Sequence, residues 1–322
     1  MRKHSLLLWL TVALVSLTLL SLFMGQLSWK EVFNDPQITW IVFETLRLPR
    51  TLLALLTGAM LGLTGATLQG YLKNPLADAG LIGVSSAASF GVVLALSCGI
   101  SVLWSPLFGM VAALGLMMIF YGTSLKRPDT LSLILIGLAF NSLFGALTSL
   151  TLNLSSNPYK NLELLFWLLG SFTNQSLESI FFVIPFLIAG SILLWKQRRV
   201  LDALALGEDM AETFGYSLKR TTQMIIIGIS LCIGPLTALG GTIGFVGLIV
   251  PHILRHFTKP TPSALLIPSA LGGALLCLGA DILIRLLPTN TEIKIGVVTS
   301  LLGAPFFLFL LLNPQRSSHD SL

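Results

Sequence analysis

Charge is what this chain has least of. Asp, Glu, Lys and Arg make up 10% of its 322 residues, where a soluble globular chain carries about 25%. A water-soluble domain of ordinary surface is excluded on that ground. Cysteine is nearly as scarce: Cys98, Cys232 and Cys277 lie far apart, all in apolar runs. An odd, scattered set of this kind makes neither a disulfide framework nor a metal site, and small buried hydrophobes are the expectation. No Lys follows a Gly anywhere, so the chain lacks the Walker A cradle of a P-loop nucleotide site. His-Glu-x-x-His, Gly-x-Ser-x-Gly and a TVGYG-like filter are also missing, which removes three further classes of site. The net charge of +5 comes from 19 basic residues spread over the segments between apolar runs. That is the pattern of membrane orientation, not of nucleic-acid binding.

Apolar sequence is what fills the chain, at 54% hydrophobic residues and a mean hydropathy of +0.87. The runs are long and continuous, without the dyad alternation of a transmembrane barrel. About 20 apolar residues span a bilayer as a helix. The runs fall at about 5–24, 48–70, 81–101, 106–124, 130–153, 178–195, 221–239, 241–257, 263–284 and 294–312. The expected fold is an all-α membrane protein, a polytopic bundle of about ten transmembrane helices forming one transmembrane domain over 1–322. The first run follows Met1-Arg2-Lys3 and is longer than a signal-peptide core, with no small-x-small cleavage site after it. It is read as an uncleaved first span.

With an even number of spans and a cytoplasmic N-terminus, the inner loops hold 13 of the 19 basic residues and the outer loops 6. This bias supports both termini in the cytoplasm. Arg47, Arg50 and Arg285 then sit at outer span ends, where Asp281 and Arg285 also have the spacing of an i,i+4 ion pair. Residues 154–177 lie outside and carry a partly apolar stretch, Leu162 to Phe172, too short to cross. A re-entrant or surface helix is expected there. Gly58-x3-Gly62 and Gly240-x3-Gly244 read as close-packing seams. His252, with Arg255 and His256 one turn on, is read as bracing an inner helix end.

The only extended inner segment is 196–220. Gly207 breaks it, Glu208 and Asp209 suit a helix N-terminus, Met210, Ala211 and Phe214 recur at helical spacing, and Gly215 is a plausible C′ stop. Helices that lie on lipid usually display Lys and Arg, and this one is acidic, so a protein groove is the expected seat. At the inner end of the second run, Asn74, Pro75 and Asp78 mark an Asx-type turn or cap.

Five segments resemble one known family. LRLPR at 46–50, GATLQGYLKNPLADAGLIGVS at 65–85, LALGEDMAETFG at 204–215, GTIGFVGLIVPHILRH at 241–256 and EIKIGVVTSLLGAPFFLFLL at 292–311 are similar, in this order, to the FecCD-type permease subunits of ABC importers for iron–siderophores, haem and vitamin B12. One departure is visible: the family commonly has Pro after the acidic residue of the NPLA motif, and Ala79 follows Asp78 here.

The resemblance implies a bacterial cytoplasmic (inner) membrane location and a homodimer, or a paired permease, around a central path. It implies two cytosolic ABC ATPase subunits, which carry the ATP and Mg, docked on a coupling contact of Leu206, Gly207, Glu208, Ala211, Phe214 and Gly215. It implies a soluble substrate-binding protein docked outside on Arg47, Arg50 and Arg285. Asn74, Pro75 and Asp78 are the candidate gate. No cofactor, metal site, catalytic residue or nucleic-acid partner is expected in this chain. Ferric siderophore is the leading cargo, with haem, vitamin B12 and molybdate as alternatives. A secondary transporter driven by an ion gradient is the weaker reading, because such proteins place ionisable residues at the bilayer midplane and the charges here fall near span ends. A membrane-embedded enzyme is weaker still.

Overall fold

The computed structural model describes residues 3–24, 40–124, 130–155, 157–287 and 293–312. Every regular element among them is helical. In chain order they are α1 (Lys3–Phe23), α2 (Leu48–Tyr71), α3 (Val84–Ser97), α4 (Ser105–Ser124), α5 (Thr130–Leu154), α6 (Pro158–Leu168), α7 (Leu177–Lys196), α8 (Arg198–Ala205), α9 (Glu208–Thr213), α10 (Leu218–Gly240), α11 (Val246–Arg255), α12 (Pro262–Leu286) and α13 (Ile295–Leu312).

Among the described residues, seven helical stretches are long and apolar enough to cross a membrane: Ser5–Phe23, Trp40–Tyr71, Val102–Gly122, Leu135–Leu154, Leu177–Ala205, Leu218–Gly240 and Pro262–Leu286. The other three expected runs coincide with shorter apolar helices, Val84–Ser97, Val246–Arg255 and Ile295–Phe309. Each run is therefore helical, but two of them, 81–101 and 241–257, lose their first residues to turns or irregular backbone. Residues 72–83 fold as turns before α3, with Gly83 at φ 89. Residues 241–245 are irregular before α11, with Gly241 at φ 70 and Phe245 at φ 66. Non-helical backbone is tolerated at membrane depth only when protein buries it or it lines a cavity.

The second span begins earlier than expected, at Trp40, through a π-helical turn over Phe43–Arg47. Pro49 has no N–H to continue the α ladder, and Leu48 donates instead to the carbonyl of Phe43, five residues back. The inner segment likewise differs. It holds two helices, α8 and α9, because Val200, Leu201, Ala203 and Leu204 give the residues before Gly207 an apolar face of their own.

α2 and α10 form the centre of the bundle, with most of their residues buried, whereas α1 is peripheral and largely exposed. α2 meets α12 backbone to backbone. A Cβ on Gly58 would stand 2.2 Å from the carbonyl oxygen of Gly273, and one on Gly62 would stand 1.9 Å from that of Ser269. The first glycine pair is thus the expected seam. The second is not: Gly244 faces open space, and Gly240 has only ordinary contact with Phe172 at 3.7 Å. Of the cysteines, Cys232 and Cys277 are buried and Cys98 is exposed.

Candidate functional site

Three places on the bundle carry chemistry: an arginine cluster at one end, a pair of short helices at the other, and a cavity between broken helices. At the first end, α1 finishes beside the start of α2 and the end of α12. Arg47 Nη1 donates to the carbonyls of Leu22 (3.3 Å) and Phe23 (3.2 Å), and Arg285 Nη1 donates to those of Ser21 (2.9 Å) and Met24 (3.2 Å). These are terminal carbonyls of α1, which lack helical donors and favour a nearby cation. Asp281 accepts from Arg50 Nε at 2.8 Å and from Arg285 Nη2. The i,i+4 pair read from sequence is present. The exposure differs from expectation: Arg47 is buried, and the Arg285 side chain keeps 5% of its surface against 17% for Arg50.

At the opposite end, α8 and α9 fold into an elbow. Ala211 is buried with Val200, Ala203 and Leu204, and Tyr71, Tyr216 and Leu218 pack against this cluster. Asp202 Oδ1 accepts the Ser263 N–H at 2.8 Å, tying α8 to the first turn of α12. Gly207 takes φ 126 and ψ 156, a region open only to glycine. Gly215, at φ 83, closes α9 with bonds from its own N–H to Glu212 (2.8 Å) and from Tyr216 N–H to Ala211 (3.1 Å), a Schellman ending. Ala211 therefore belongs to the inner face. Leu206, Met210 and Phe214 turn outward at 67%, 43% and 56% exposure, beside the exposed Glu208, Asp209 and Glu212.

The turns at 72–83 begin at this elbow end. Asn74 Oδ1 accepts from Leu76 N–H at 2.9 Å, the expected Asx turn across Pro75. Asp78 is buried; its Oδ2 accepts from Gly80 N–H at 3.2 Å, while its Oδ1 has no donor. That oxygen lies against the backbone of Gly247, where a Cβ would come within 2.2 Å of it. Burial pushes the Asp78 carboxyl up to about 6 from an ordinary value of 3.8.

Asp78 also lines a cavity of about 740 Å³. Its walls come from Gly80, Leu81, Ser85 and Ser86 at the start of α3, Asn141 of α5, and Leu168 and Leu169 at the end of α6. The irregular Thr242–Phe245 stretch, Leu248 of α11, and Gly296, Val297, Ser300, Leu301, Ala304 and Pro305 of α13 complete it. The interruptions that shorten α3 and α11 are thus what open the space. Among the described residues, Asp78 is the only ionisable one in these walls. Ser86 hydroxyl donates to Asn141 Oδ1, so part of the polar lining is already paired. The glycine junction beneath is tight: a Cβ on Gly296 would stand 2.3 Å from the Leu169 carbonyl oxygen, and one on Gly170 would stand 2.6 Å from that of Thr242.

Two residues that shape the site, Gln69 and Asn141, carried no sequence signal beyond being polar in an apolar run, whereas His252 reads as a brace from the sequence alone. Gln69 is buried, donates to the carbonyls of Gly247 and Leu248, and accepts from Arg255 Nη2 at 2.7 Å. His252 meets the rings of His256 and Phe306 edge-on at 5.7 Å each, as a brace between α11 and α13. Asn141 stands in a run read only as a span.

The model of the FecCD transport family matches residues 10–313. The chain is 39% identical over 321 residues to the vitamin B12 import system permease protein BtuC of Vibrio cholerae serotype O1, spanning 95% of this chain and 92% of that one. It is 34% identical over 320 residues to the hemin transport system permease protein HmuU of Yersinia pestis, spanning 95% of each. The ABC transporter permease protein YvrB of Bacillus subtilis is 39% identical over 295 residues, spanning 89% of this chain and 83% of that one. Among solved structures, a metal-chelate type ABC transporter in an inward-facing conformation superposes with a TM-score of 0.84 at 35% identity, covering 96% of this chain and 99% of that one.

Proposed function

This chain belongs to the FecCD transport family, and on that premise we propose that it carries a metal chelate, with ferric siderophore as the cargo, along a path that its 740 Å³ cavity lines. The observation that carries this reading is that cavity: it is walled by broken helices and falls in the ~300–1,000 Å³ range of sites that enclose drug-sized ligands. Two copies facing each other would share it as a central path. Among the described residues no basic one appears in its walls, so a small oxyanion such as molybdate would meet no counter-charge from them. A ferric chelate whose donor groups neutralise the metal suits such a lining. Haem and vitamin B12, the cargoes in the names of HmuU and BtuC, are the alternatives.

The energy comes from two cytosolic ABC ATPases seated on the outward face of the elbow, Leu206, Met210 and Phe214, with Gly207, Glu208 and Gly215 setting its shape. That end is cytoplasmic in this reading, together with both termini, in a bacterial inner membrane. ATP, with its Mg, is bound and hydrolysed by the ATPases, and this subunit performs no chemistry. A soluble binding protein docks at the arginine end, through Arg50 foremost. ATP-driven closure of the motors would move the α8–α9 elbow, which Tyr71 and Asp202 link to α2 and α12. The 72–83 turns, with Asn74, Pro75 and Asp78, then act as the inner gate. Two packings of one bundle are what alternating access requires.

The test is uptake into proteoliposomes containing this chain, its ATPase and its binding protein. ATP-dependent accumulation of radiolabelled ferric siderophore, above that of haem or cobalamin, is the expected result. Preference for either of the others overturns the cargo. Uptake under an ion gradient with the ATPase left out overturns the mechanism.

A further inference from the structure

We propose that the first turn of α3 and Asn141 of α5 form a hydrogen-bond-donor subsite in the cavity wall. Its ligands are neutral oxygen atoms of the cargo, the hydroxamate and amide oxygens of a ferric hydroxamate chelate, a refinement that rests on the cargo reading above. α5 crosses the start of α3 closely. A Cβ on Gly83 would stand 3.0 Å from the Asn141 backbone nitrogen, and one on Gly137 would stand 2.9 Å from the Ile82 Cα. Gly83 takes φ 89 at this crossing, so a side chain there would be strained as well as crowded. Ser86 donates to Asn141 Oδ1, which ties the Asn141 side chain to the first turn of the 14-residue α3.

The first four N–H groups of a helix have no acceptor within it. In α3, Val84 N–H donates to the Ala79 carbonyl (3.0 Å) and Ala87 N–H to that of Gly83 (2.9 Å). The N–H groups of Ser85 and Ser86 between them have no backbone acceptor among the described residues. Ser85 is 7% exposed and lines the cavity, and its hydroxyl has no partner among the bonds described. Asn141 lines the same cavity; with Oδ1 occupied by Ser86, its amide nitrogen keeps two donors. Donors therefore dominate this stretch of wall. Asp78 decides the charge of what they accept: it lines the cavity too, and its Oδ2 takes the Gly80 N–H. With that carboxylate present and no basic residue in the described walls, an anionic oxygen is repelled and a neutral one is not. A ferric tris-hydroxamate is neutral and rich in such oxygens, whereas a ferric tris-catecholate carries net negative charge.

The experiment measures equilibrium binding of radiolabelled ferric tris-hydroxamate to the detergent-purified permease–ATPase complex, with a ferric tris-catecholate as the charged comparison. The tris-hydroxamate should bind more tightly. Asn141→Leu and Ser85→Ala should each weaken its binding about five- to tenfold, the worth of one hydrogen bond, and narrow its advantage over the tris-catecholate. Unchanged affinity in both variants, or an equal loss for the two chelates, overturns the subsite and leaves the cargo reading standing. Tighter binding of the tris-catecholate by the unaltered complex also overturns the subsite, with ferric siderophore still the cargo. Tighter binding of haem or cyanocobalamin than of either chelate overturns the cargo reading itself, and no binding of any of the four overturns the subsite. If Asn141→Leu does not assemble, Ser85→Ala, which removes a single oxygen, carries the test alone.

Discussion

Gln69 donates its side-chain amide to the carbonyl of Gly247 at 3.2 Å, and Gly247 is the residue four before Pro251. In an α-helix that carbonyl accepts from the N–H of position 251, which proline does not have. Gln69 therefore supplies, from α2, the donor that α11 lacks, and Arg255 holds the other end of the same amide. Both partners are buried, so no solvent would replace the bond.

Gln69→Leu should cost about 1–3 kcal/mol, the penalty for stranding a buried acceptor, and lower the thermal midpoint of the detergent-purified protein. Pro251→Ala restores the missing N–H, so the Gln69→Leu cost should shrink by roughly 1 kcal/mol in that background. An identical loss in both backgrounds would show that the bond to Gly247 is not what Gln69 contributes.

The outward face of the elbow separates docking from folding. Leu206, Met210 and Phe214 are exposed while Ala211 is wholly buried. Serine at the three exposed positions should change stability by no more than about 0.5 kcal/mol per site, yet abolish co-purification of the ATPase. Ala211→Phe, which overfills the cluster with Val200 and Leu204, should instead destabilise the subunit by about 1–3 kcal/mol. Retained ATPase after the triple serine change would place the coupling contact elsewhere.

Much of this arrangement was legible in the sequence. Ten apolar runs became helices because length and continuity, not fine packing, decide helicity in lipid. Gly207 and Gly215 announced both ends of α9, since only glycine takes their backbone angles cheaply. What stayed hidden was contact across the chain. Arg47 and Arg285 carry the same signal as Arg50, and nothing local tells that two of them reach the end of α1. Ala211 shares the helical spacing of Met210 and Phe214, but the face it presents depends on α8. The irregular 241–245 stretch read as part of a span because its residues are apolar, and its glycines allow a break without requiring one.

Asp78 predicts a pH dependence. Its folded-state value of about 6 lies above the ordinary 3.8, so the folded protein holds the proton more tightly than the unfolded chain. The stabilisation from this group is complete below about pH 3.8 and is lost as pH rises through about 6. The rise from 3.8 to about 6 corresponds to about 3 kcal/mol. Asp78→Asn should remove this slope between about pH 4 and 6 and raise stability at pH 7. Unfolding midpoints that track pH equally in both proteins would rule the effect out.

The α2–α12 seam sets two opposing effects against each other within one helix. Gly→Ala in a helix interior gains about 0.5–1 kcal/mol in backbone terms, whereas an added carbon in a packed interface costs about 1–3 kcal/mol. At Gly273 the new Cβ would stand 2.1 Å from the Gly58 carbonyl oxygen, a backbone atom that cannot turn aside. At Gly279, six residues further along the same helix, nothing lies within 4 Å. Gly273→Ala should therefore destabilise, and Gly279→Ala should be neutral or stabilising, in chemical denaturation of the purified subunit. The helices at Gly273 can accommodate the methyl only by separating, which would also draw Asp281 away from Arg50. Gly273→Ala should accordingly weaken binding-protein stimulation as well, while Gly279→Ala leaves it alone. Equal effects at the two glycines would mean that the seam is looser than its backbone distances require.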